Sequence, residues 1–343
     1  MGEHRVSSWA ELQERLYADS WYQPHGHFRS PYVFRGLPDW RYDRRTSLYR
    51  MGGKYASVED DLLRNFRKYA SRMPDAWQQA QYDSWWNWLA IGQHYGLPTR
   101  LLDWTFSPNV ALHFVTAKFG SFGIDGVVWC INFIGARKFL PASLKAILKK
   151  DDAIFFSAEM LDRYARTLEE YDARVAAEGG DCVIFFEPPS LDDRIVNQAA
   201  VFSMLSSPTR QLEEWLAERE QEHPDLFSKI IIPAVLKWEI RDKLDNANTN
   251  ERVIFPGLDG LSKWLRRYYS PNHLIEVDYA DQRFLGRVQR IVDMRMEVTL
   301  YSGAEPVRDV VLTSREESRW WDLSEGVTVQ VKPRPERFGF IPD

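Results

Sequence analysis

The chain has 343 residues, of which 44% are hydrophobic and 14% aromatic, so it can fill one large core and one small one. Its formal net charge of −5 excludes a protein that holds nucleic acid or an anionic membrane through overall charge alone. Residues 1–9 lack the apolar core of a signal peptide, and no window reaches the roughly 18 apolar residues of a membrane span. We therefore expect a cytoplasmic protein with no membrane partner.

The first informative element is an apolar stretch, residues 32–36, that carries an arginine. It reads Tyr-Val-Phe-Arg-Gly and follows a predicted helix whose N-cap is Ser8. The stretch predicts a strand, in which Arg35 is costly to bury unless it is paired or holds a ligand. Arg35 is therefore a candidate site residue, and Gly36 is either a turn glycine or part of the same site.

The segment from Arg35 to Arg72 is basic, with ten lysines and arginines against five aspartates and glutamates. Aromatic residues are interleaved with these charges, a mixture that suits an anionic, ring-bearing ligand such as a dinucleotide or the end of a nucleic acid. The alternative is that most of the arginines face solvent or pair with acidic helices.

The second informative segment is residues 93–105, which reads Gln-His-Tyr-Gly-Leu-Pro-Thr-Arg-Leu-Leu-Asp-Trp-Thr. Its Gly-Leu-Pro sequence is typical of a helix end, and residues 99–105 read as an extended stretch. Ser107 and Pro108 then start another helix as N-cap and first residue. The end of the extended stretch thus lies at a helix N-terminus, where free N–H groups favour an anion. The candidate residues in this segment are His94, Tyr95, Arg100, Asp103, Trp104 and Thr105.

The remaining elements up to residue 272 are mixed α and β without a regular βαβ alternation, which predicts an α+β fold with a mixed sheet surrounded by helices. Cys130 and Cys182 both lie in predicted strands, so we expect buried, reduced thiols. The sequence has no cysteine cluster and no His-Glu-x-x-His motif, and it predicts no metal site. Strands are predicted at 126–134, 181–187, 194–205 and 229–236, and helices at 141–149, 157–176, 209–221, 237–245 and 258–269.

The sequence pattern changes after residue 272. Apolar and polar residues alternate in short runs separated by turn residues, and no long helix is predicted. Four or five short strands indicate a small antiparallel β-barrel, which gives two domains, 1–272 and 273–343. The alternating runs are 287–292, 297–302, 307–314 and 327–332.

Three separated motifs, in order, resemble the FRG domain over residues 8–270. A further element of that family, Arg-Ile-x-x-Gln-x-Gly-x-Phe, is similar to residues 194–202, although Ala200 stands where glycine is usual. That departure bears on how closely the backbone near Gln198 approaches a ligand. The tail from about Phe284 is more weakly similar to the small barrels called TOBE domains. The three motifs are Phe34-Arg35-Gly36, residues 93–105, and residues 232–261 with Phe255-Pro256-Gly257-Leu258-Asp259-Gly260-Leu261.

The order of elements in turn resembles the ADP-ribosyltransferase fold, and this resemblance implies NAD as substrate. Arg35 would then grip the pyrophosphate or a ribose, and Thr105 would orient the nicotinamide ribose. Gln198, or Glu187 at a strand end, would take the place of the polar residue beside the reacting carbon. Glutamine cannot act as a general base, so His94 or Asp103 would have to do so. The expected stacking residues are His94, Tyr95 and Trp104, and the expected cofactor-binding set also includes Gly36, Arg100 and Asp103.

Two classes of function remain open on the sequence. One is an NAD-consuming enzyme, an ADP-ribosyltransferase or NAD glycohydrolase in bacterial defence or as a toxin, with a protein or nucleic acid as acceptor. The other is a non-catalytic module that binds a nucleotide or nucleic acid. The enzyme predicts that Arg35, Thr105 and Gln198 converge on an open cleft. The alternative structural role predicts that Arg35 pairs with Asp103 while Thr105 caps the next helix.

Overall fold

The computed structural model describes residues 2–22, 26–43, 45–70, 72, 84–118, 121–190, 192–269, 274–279, 282–292, 295–302, 305–314, 320–323 and 328–333. It divides into two compact units. The first comprises Met1–Leu37, Arg41–Leu112 and Val127–Ile231, and the second comprises Pro38–Trp40, His113–Gly126 and Ile232–Asp343.

The strands up to residue 232 are β1 (Gly2–Arg5), β2 (Trp21–Tyr22), β3 (His27–Phe28), β4 (Tyr32–Leu37), β5 (Leu102–Thr105), β6 (Gly126–Asn132), β7 (Val183–Phe186), β8 (Ala200–Leu205) and β9 (Phe227–Ile232). Seven of them form one sheet in the order β1-β9-β6-β4-β5-β8-β7, while β2 and β3 form a separate pair. The β1–β9 pair is parallel, whereas β4–β6, β4–β5, β5–β8 and β7–β8 are antiparallel. The fold is therefore α+β with a mixed sheet, as predicted.

The helices are α1 (Trp9–Leu16), α2 (Ser47–Arg50), α3 (Tyr55–Ala70), α4 (Trp85–His94), α5 (Pro108–Val115), α6 (Phe133–Ala136), α7 (Ala142–Lys150), α8 (Ala158–Tyr164), α9 (Leu168–Ala177), α10 (Asp193–Asn197), α11 (Leu212–Arg219), α12 (Lys237–Asn246), α13 (Glu251–Ile254) and α14 (Leu258–Tyr268). Several begin at a side-chain cap, because a hydroxyl or carboxylate accepts from an N–H that the first turn leaves unpaired. Ser8, Ser84 and Ser107 cap α1, α4 and α5 in this way. No helix of the described residues is long and apolar enough to cross a membrane.

Three predicted elements differ in the structure. The helix expected at 157–176 is two helices, α8 and α9, because Ala165 is extended and Thr167 caps the second. The strand expected at 229–236 ends at Ile232, and a 3-10 turn, Ala234–Leu236, follows Pro233. The strand expected at 194–205 begins as helix α10, capped by Asp192, and β8 starts only at Ala200.

The two cysteines are free and buried within the first unit, as predicted. Cys130 lies in β6, and Cys182 directly precedes β7. Burial raises the pKa of each thiol to about 12, so both stay protonated at neutral pH.

The second unit contains α12, α13 and α14 and the strands that follow them. The structure describes six such strands, where four or five were predicted, and they pair as a closed antiparallel sheet in which β10 pairs with both β11 and β15. The predicted domain boundary at residues 272 and 273 lies outside the described residues and stays a prediction. The strands are β10 (Leu274–Tyr279), β11 (Gln282–Val292), β12 (Arg295–Ser302), β13 (Glu305–Ser314), β14 (Trp320–Leu323) and β15 (Thr328–Pro333).

Candidate functional site

The centre of the large sheet is interrupted between β4 and β5. Strand β4 pairs with β6 along all six of its residues, but it pairs with β5 at one position, Phe34 opposite Thr105. Where the ladder stops, the Arg35 Nη1 atom donates a 2.5 Å hydrogen bond to the Asp103 carbonyl oxygen. The guanidinium of Arg35 thus occupies the gap that a continued ladder would have closed.

Arg35 retains unused binding capacity in this gap. Its Nη1 atom lies 3.9 Å from Asp103 Oδ2, and the two side chains are 18% and 60% exposed. Its Nε atom is buried and has no hydrogen-bond partner among the described residues. Burial lowers the pKa of Arg35, an effect that Asp103 opposes and the charge of Arg50 reinforces. Arg35 is therefore a cation with an unmet N–H donor beside a carboxylate that faces solvent.

Gln93 holds the Asp103 carboxylate in place, a role that the sequence analysis missed. Its Nε2 donates to Asp103 Oδ2 over 2.9 Å, and its Oε1 accepts from Thr99 Oγ1 over 2.6 Å. Because the amide is fixed at both ends, the carboxylate has a defined orientation. A sequence signal was present, since Gln93 opens the second informative segment.

His94 forms a pair with Asp192, the residue that caps α10. His94 Nε2 lies 2.8 Å from Asp192 Oδ2, and the histidine side chain is only 11% exposed. Burial lowers the pKa of His94, and the Asp192 carboxylate opposes this. Since a carboxylate only accepts, Nε2 carries the proton, and Nδ1 of the neutral ring is free to accept one. Asp192 was missed because the strand predicted at 194–205 concealed the helix that it caps.

Tyr95 lies beside His94 and is open to solvent. Its ring is edge-on to the imidazole at 5.0 Å between centroids, and the residue is 62% exposed. This is a position from which it can contact a bound molecule. Gly36 is instead a buried strand residue opposite Val128, and not a turn glycine.

Thr105 and Gln198 meet, but through the main chain of Gln198. The Thr105 hydroxyl donates to the Gln198 carbonyl oxygen over 2.6 Å and accepts from the Ser107 N–H over 3.0 Å. Gln198 is the C-cap of α10, and Ala199 after it has a φ of 44°, a conformation that side chains disfavour. After this turn the chain enters β8, and the Phe106 N–H donates to the Ala199 carbonyl oxygen. The Thr105 hydroxyl therefore ties the end of β5 to this turn.

Two predicted ligand residues, Arg100 and Trp104, are buried and have their side-chain partners within the protein. The guanidinium of Arg100 is buried and bonds to Glu59 and Asp172. The Trp104 indole is 3% exposed, donates to Ser203 Oγ and packs edge-on against Phe185. Trp104 is thus part of the hydrophobic core, and Arg100 is the centre of a buried ion network. Glu187, the alternative to Gln198, lies exposed directly after β7.

The structure thus brings Arg35, Asp103 and Gln93 into one hydrogen-bonded group, and the Asp103 charge also acts on the pKa of His94. Arg35 can bind an anion, and Asp103 offers an exposed carboxylate. His94 adds a neutral imidazole whose Nδ1 can accept a proton. Within the described residues, no set of three or more histidine, cysteine, aspartate or glutamate side chains could hold a metal ion.

Comparison with known proteins gives one match. No curated protein and no solved structure matches the chain, so the predicted resemblances to TOBE domains and to the ADP-ribosyltransferase fold stay predictions. The matching span contains Arg35, His94, Asp103 and Thr105, but not Gln198. Residues 30–122 match the family model of the FRG domain.

Proposed function

We propose that the FRG-matching region binds a dinucleotide such as NAD at the gap between β4 and β5 and consumes it, as an ADP-ribosyltransferase or NAD glycohydrolase. The observation that carries the proposal is the Arg35 side chain, 18% exposed at the centre of the sheet, whose buried Nε has no partner among the described residues and which lies beside the exposed Asp103. An arginine with a spare donor favours a phosphate group, because its planar fork can form two parallel bonds to an anion.

His94 is the residue best placed to take up a proton. In the proposed reaction the bond between nicotinamide and ribose breaks, and nicotinamide leaves with the bonding electrons. A hydroxyl, amine or water attacks the ribose carbon, and its proton passes to a base. The low pKa of His94 and its fixed tautomer keep the imidazole able to accept that proton at neutral pH.

Asp103 and Tyr95 would act on the bound molecule without forming a covalent bond to it. The Asp103 carboxylate, fixed by Gln93, can accept from a ribose hydroxyl or stabilise positive charge on the ribose. Tyr95 is exposed enough for a nicotinamide or adenine ring to lie against it. A protein or nucleic acid acceptor, and a role in bacterial defence or as a toxin, belong to the same proposal.

A non-catalytic nucleotide-binding or nucleic-acid-binding module is the second candidate, and one observation favours it. The Thr105 hydroxyl is engaged on both sides, by the Gln198 carbonyl and by the Ser107 N–H. It is therefore less available to a ribose than the proposed enzyme requires. In a binding module, Thr105 and Gln198 would only shape the surroundings of the gap between β4 and β5, while Arg35 holds the phosphate.

The test is NAD turnover by the purified chain, with and without a mixture of cell protein, RNA and DNA. Free nicotinamide and label transferred from the adenine side are both followed, for wild type, Arg35→Ala, and Arg163→Ala as control. Arg163 is a suitable control because it also pairs with an aspartate but is 52% exposed and lies on α8. Nicotinamide release that Arg35→Ala abolishes and Arg163→Ala preserves supports the enzyme. NAD binding that depends on Arg35, without release under any condition, supports the binding module.

A further inference from the structure

A cavity of about 220 Å³ lies in the first unit, between the end of α1 and strands β1, β9, β6 and β4. It belongs to a different part of the sheet from the gap at Arg35. Tyr32 and Phe34 line it, and side chains alternate along a strand, so they lie on the opposite face of β4 from Arg35. The proposed NAD chemistry makes no use of this cavity.

The inner wall of the cavity is apolar and fixed. Leu16, Phe34, Phe227 and Ile230 line it, and each is 3% exposed or less. Such residues form a rigid wall that favours the hydrocarbon or aromatic part of a ligand.

The rim of the cavity carries two carboxylates. Asp19 and Asp225 are both exposed and both line the cavity, and the Tyr32 hydroxyl donates to Asp19 Oδ2 over 3.3 Å. Burial, reinforced by the charges of these two aspartates, raises the pKa of Tyr32 to about 12, so the phenol stays neutral. Arg15, His4 and Ser228 also line the cavity, and the two carboxylates outnumber the one guanidinium group.

We infer that this cavity binds a small organic molecule with an apolar body and a protonated primary amine. The body lies against Phe34 and Phe227, and the ammonium group donates to the carboxylates of Asp19 and Asp225. An ammonium group suits this rim because it has three donors and no acceptor, whereas the two carboxylates only accept. A simple amine and an amino acid both carry this ammonium group. Arg15 distinguishes them, because a guanidinium group can bond to the carboxylate of an amino acid and a simple amine has no carboxylate.

The inference is tested by calorimetry and thermal shift on the full chain with 2-phenylethylamine and its uncharged counterpart, 2-phenylethanol. The amine should bind and raise the melting temperature, and the alcohol should do neither. Loss of one charge-assisted bond should weaken binding about tenfold in Asp19→Asn and in Asp225→Asn. Both variants should fold, because Asp225 is exposed and asparagine tolerates the positive φ of 55° at Asp19.

Two further variants make the result specific. Ala18→Phe adds a ring at an exposed lining position and should block binding, whereas Glu222→Gln removes a nearby exposed charge outside the lining and should not change it. Absence of binding by the amine, equal binding of the alcohol, or affinity unchanged in both aspartate variants would overturn the inference. Phenylalanine distinguishes the sources: tighter binding than 2-phenylethylamine identifies an amino acid, and weaker binding identifies a simple amine.

Discussion

At the scale of single residues, the candidate site is defined by which polar atoms have partners. Asp103 accepts from Gln93, and His94 Nε2 is taken by Asp192, whereas Arg35 Nε has no partner among the described residues. Buried donors are rarely left unsatisfied, and in the proposed function this one would meet the anion of the bound molecule. The sequence could place Arg35 in a strand, but it could not show which of its donors would be used.

In the proposed enzyme, the pH dependence of NAD turnover should depend on the His94–Asp192 pair. The base acts only when neutral, so we expect activity to fall at acid pH with an apparent pKa below 6.5, the ordinary value for histidine. Asp192→Asn removes a charge that raises the pKa of His94, so the fall should move to lower pH. Asparagine can still cap α10, which separates this effect from unfolding. Kinetics from pH 4 to 8 on wild type and variant measure it, and an unmoved profile would remove His94 from the mechanism.

The left-handed backbone at Ala199 predicts an uncommon stabilising glycine substitution. A non-glycine residue at a φ of 44° costs about 1–2 kcal/mol, which the added chain entropy of glycine partly offsets. We expect Ala199→Gly to raise the free energy of unfolding by about 0.5 kcal/mol. Ala200→Gly is the matched control, since Ala200 is already in strand β8 and the change should cost about 0.5–1 kcal/mol. Urea unfolding measures the free energy of unfolding of both variants, and a loss of stability in Ala199→Gly would contradict the prediction.

His113 in the second unit should make stability depend on pH. Its side chain is fully buried, and its Nδ1 lies 2.9 Å from Arg241 Nη1, so the ring is neutral. Burial, reinforced by the Arg241 charge, lowers the pKa of His113 to about 3. Below pH 6.5 the unfolded chain binds a proton that the folded chain does not, so stability falls as pH drops from 6.5 towards 3.

The expected slope is up to about 1.4 kcal/mol of unfolding free energy per pH unit. The measurement is denaturant unfolding at intervals from pH 7 to pH 4, on wild type and His113→Gln. Glutamine can still accept from Arg241 but does not titrate, so the variant should show a shallower slope. Equal slopes in the two proteins would show that His113 is not the group responsible.

At the scale of elements, a buried ion network fixes the chain before β5. Arg100 bonds to Glu59 on α3 and to Asp172 on α9, so one side chain joins two helices to the loop that leads into the site. A buried charge that loses a partner is strongly destabilising, because desolvation is no longer compensated. Arg100, which the sequence analysis expected to bind a ligand, thus anchors the chain three residues before Asp103.

Glu59→Gln should lower the free energy of unfolding by about 3 kcal/mol, since it leaves Arg100 with half of its compensation. Asp60→Asn, on the exposed side of the same helix, should change it by less than about 0.5 kcal/mol. Thermal or urea unfolding compares the two. Equal effects of the two substitutions would show that the buried network contributes no more to stability than an exposed charge does.

Local sequence patterns predicted most elements, and the failures have a common cause. Apolar runs located β6 and β7, and alternation located four of the strands after residue 272. The strand expected at 194–205 was wrong because its first residues are apolar enough for either structure, and the Asp192 cap with the turn at Ala199 decided for a helix. The interrupted β4–β5 ladder had no local signal, because pairing depends on residues far apart in sequence.

At the scale of the whole molecule, neither compact unit is one continuous stretch of the chain. The second unit combines residues 38–40 and 113–126 with everything after residue 231. Within it, the buried Lys237 ammonium group donates to the carbonyl oxygens of Pro38 and Ser121, over 2.6 and 2.7 Å. The early segments are therefore held by a lysine that comes much later in the chain.

Truncation should expose this dependence. A chain of residues 1–272 keeps Lys237 and should unfold cooperatively, whereas residues 1–231 lack it and leave buried carbonyls without partners. We expect the shorter chain to lose a cooperative transition or to aggregate. Circular dichroism during heating and size-exclusion chromatography compare the two chains. A cooperative transition in residues 1–231 would show that the early segments fold without Lys237.

The single Phe34–Thr105 pair joins two halves of the large sheet. Four strands lie on one side of it, in the order β1-β9-β6-β4, and three on the other, in the order β5-β8-β7. The sheet thus consists of two smaller sheets joined at one pairing position. The facing edges of β4 and β5 are largely unpaired, although they lie at the centre of the sheet and not at its periphery. We expect backbone amide protection in hydrogen exchange to be discontinuous across its centre, where a sheet is ordinarily stiffest.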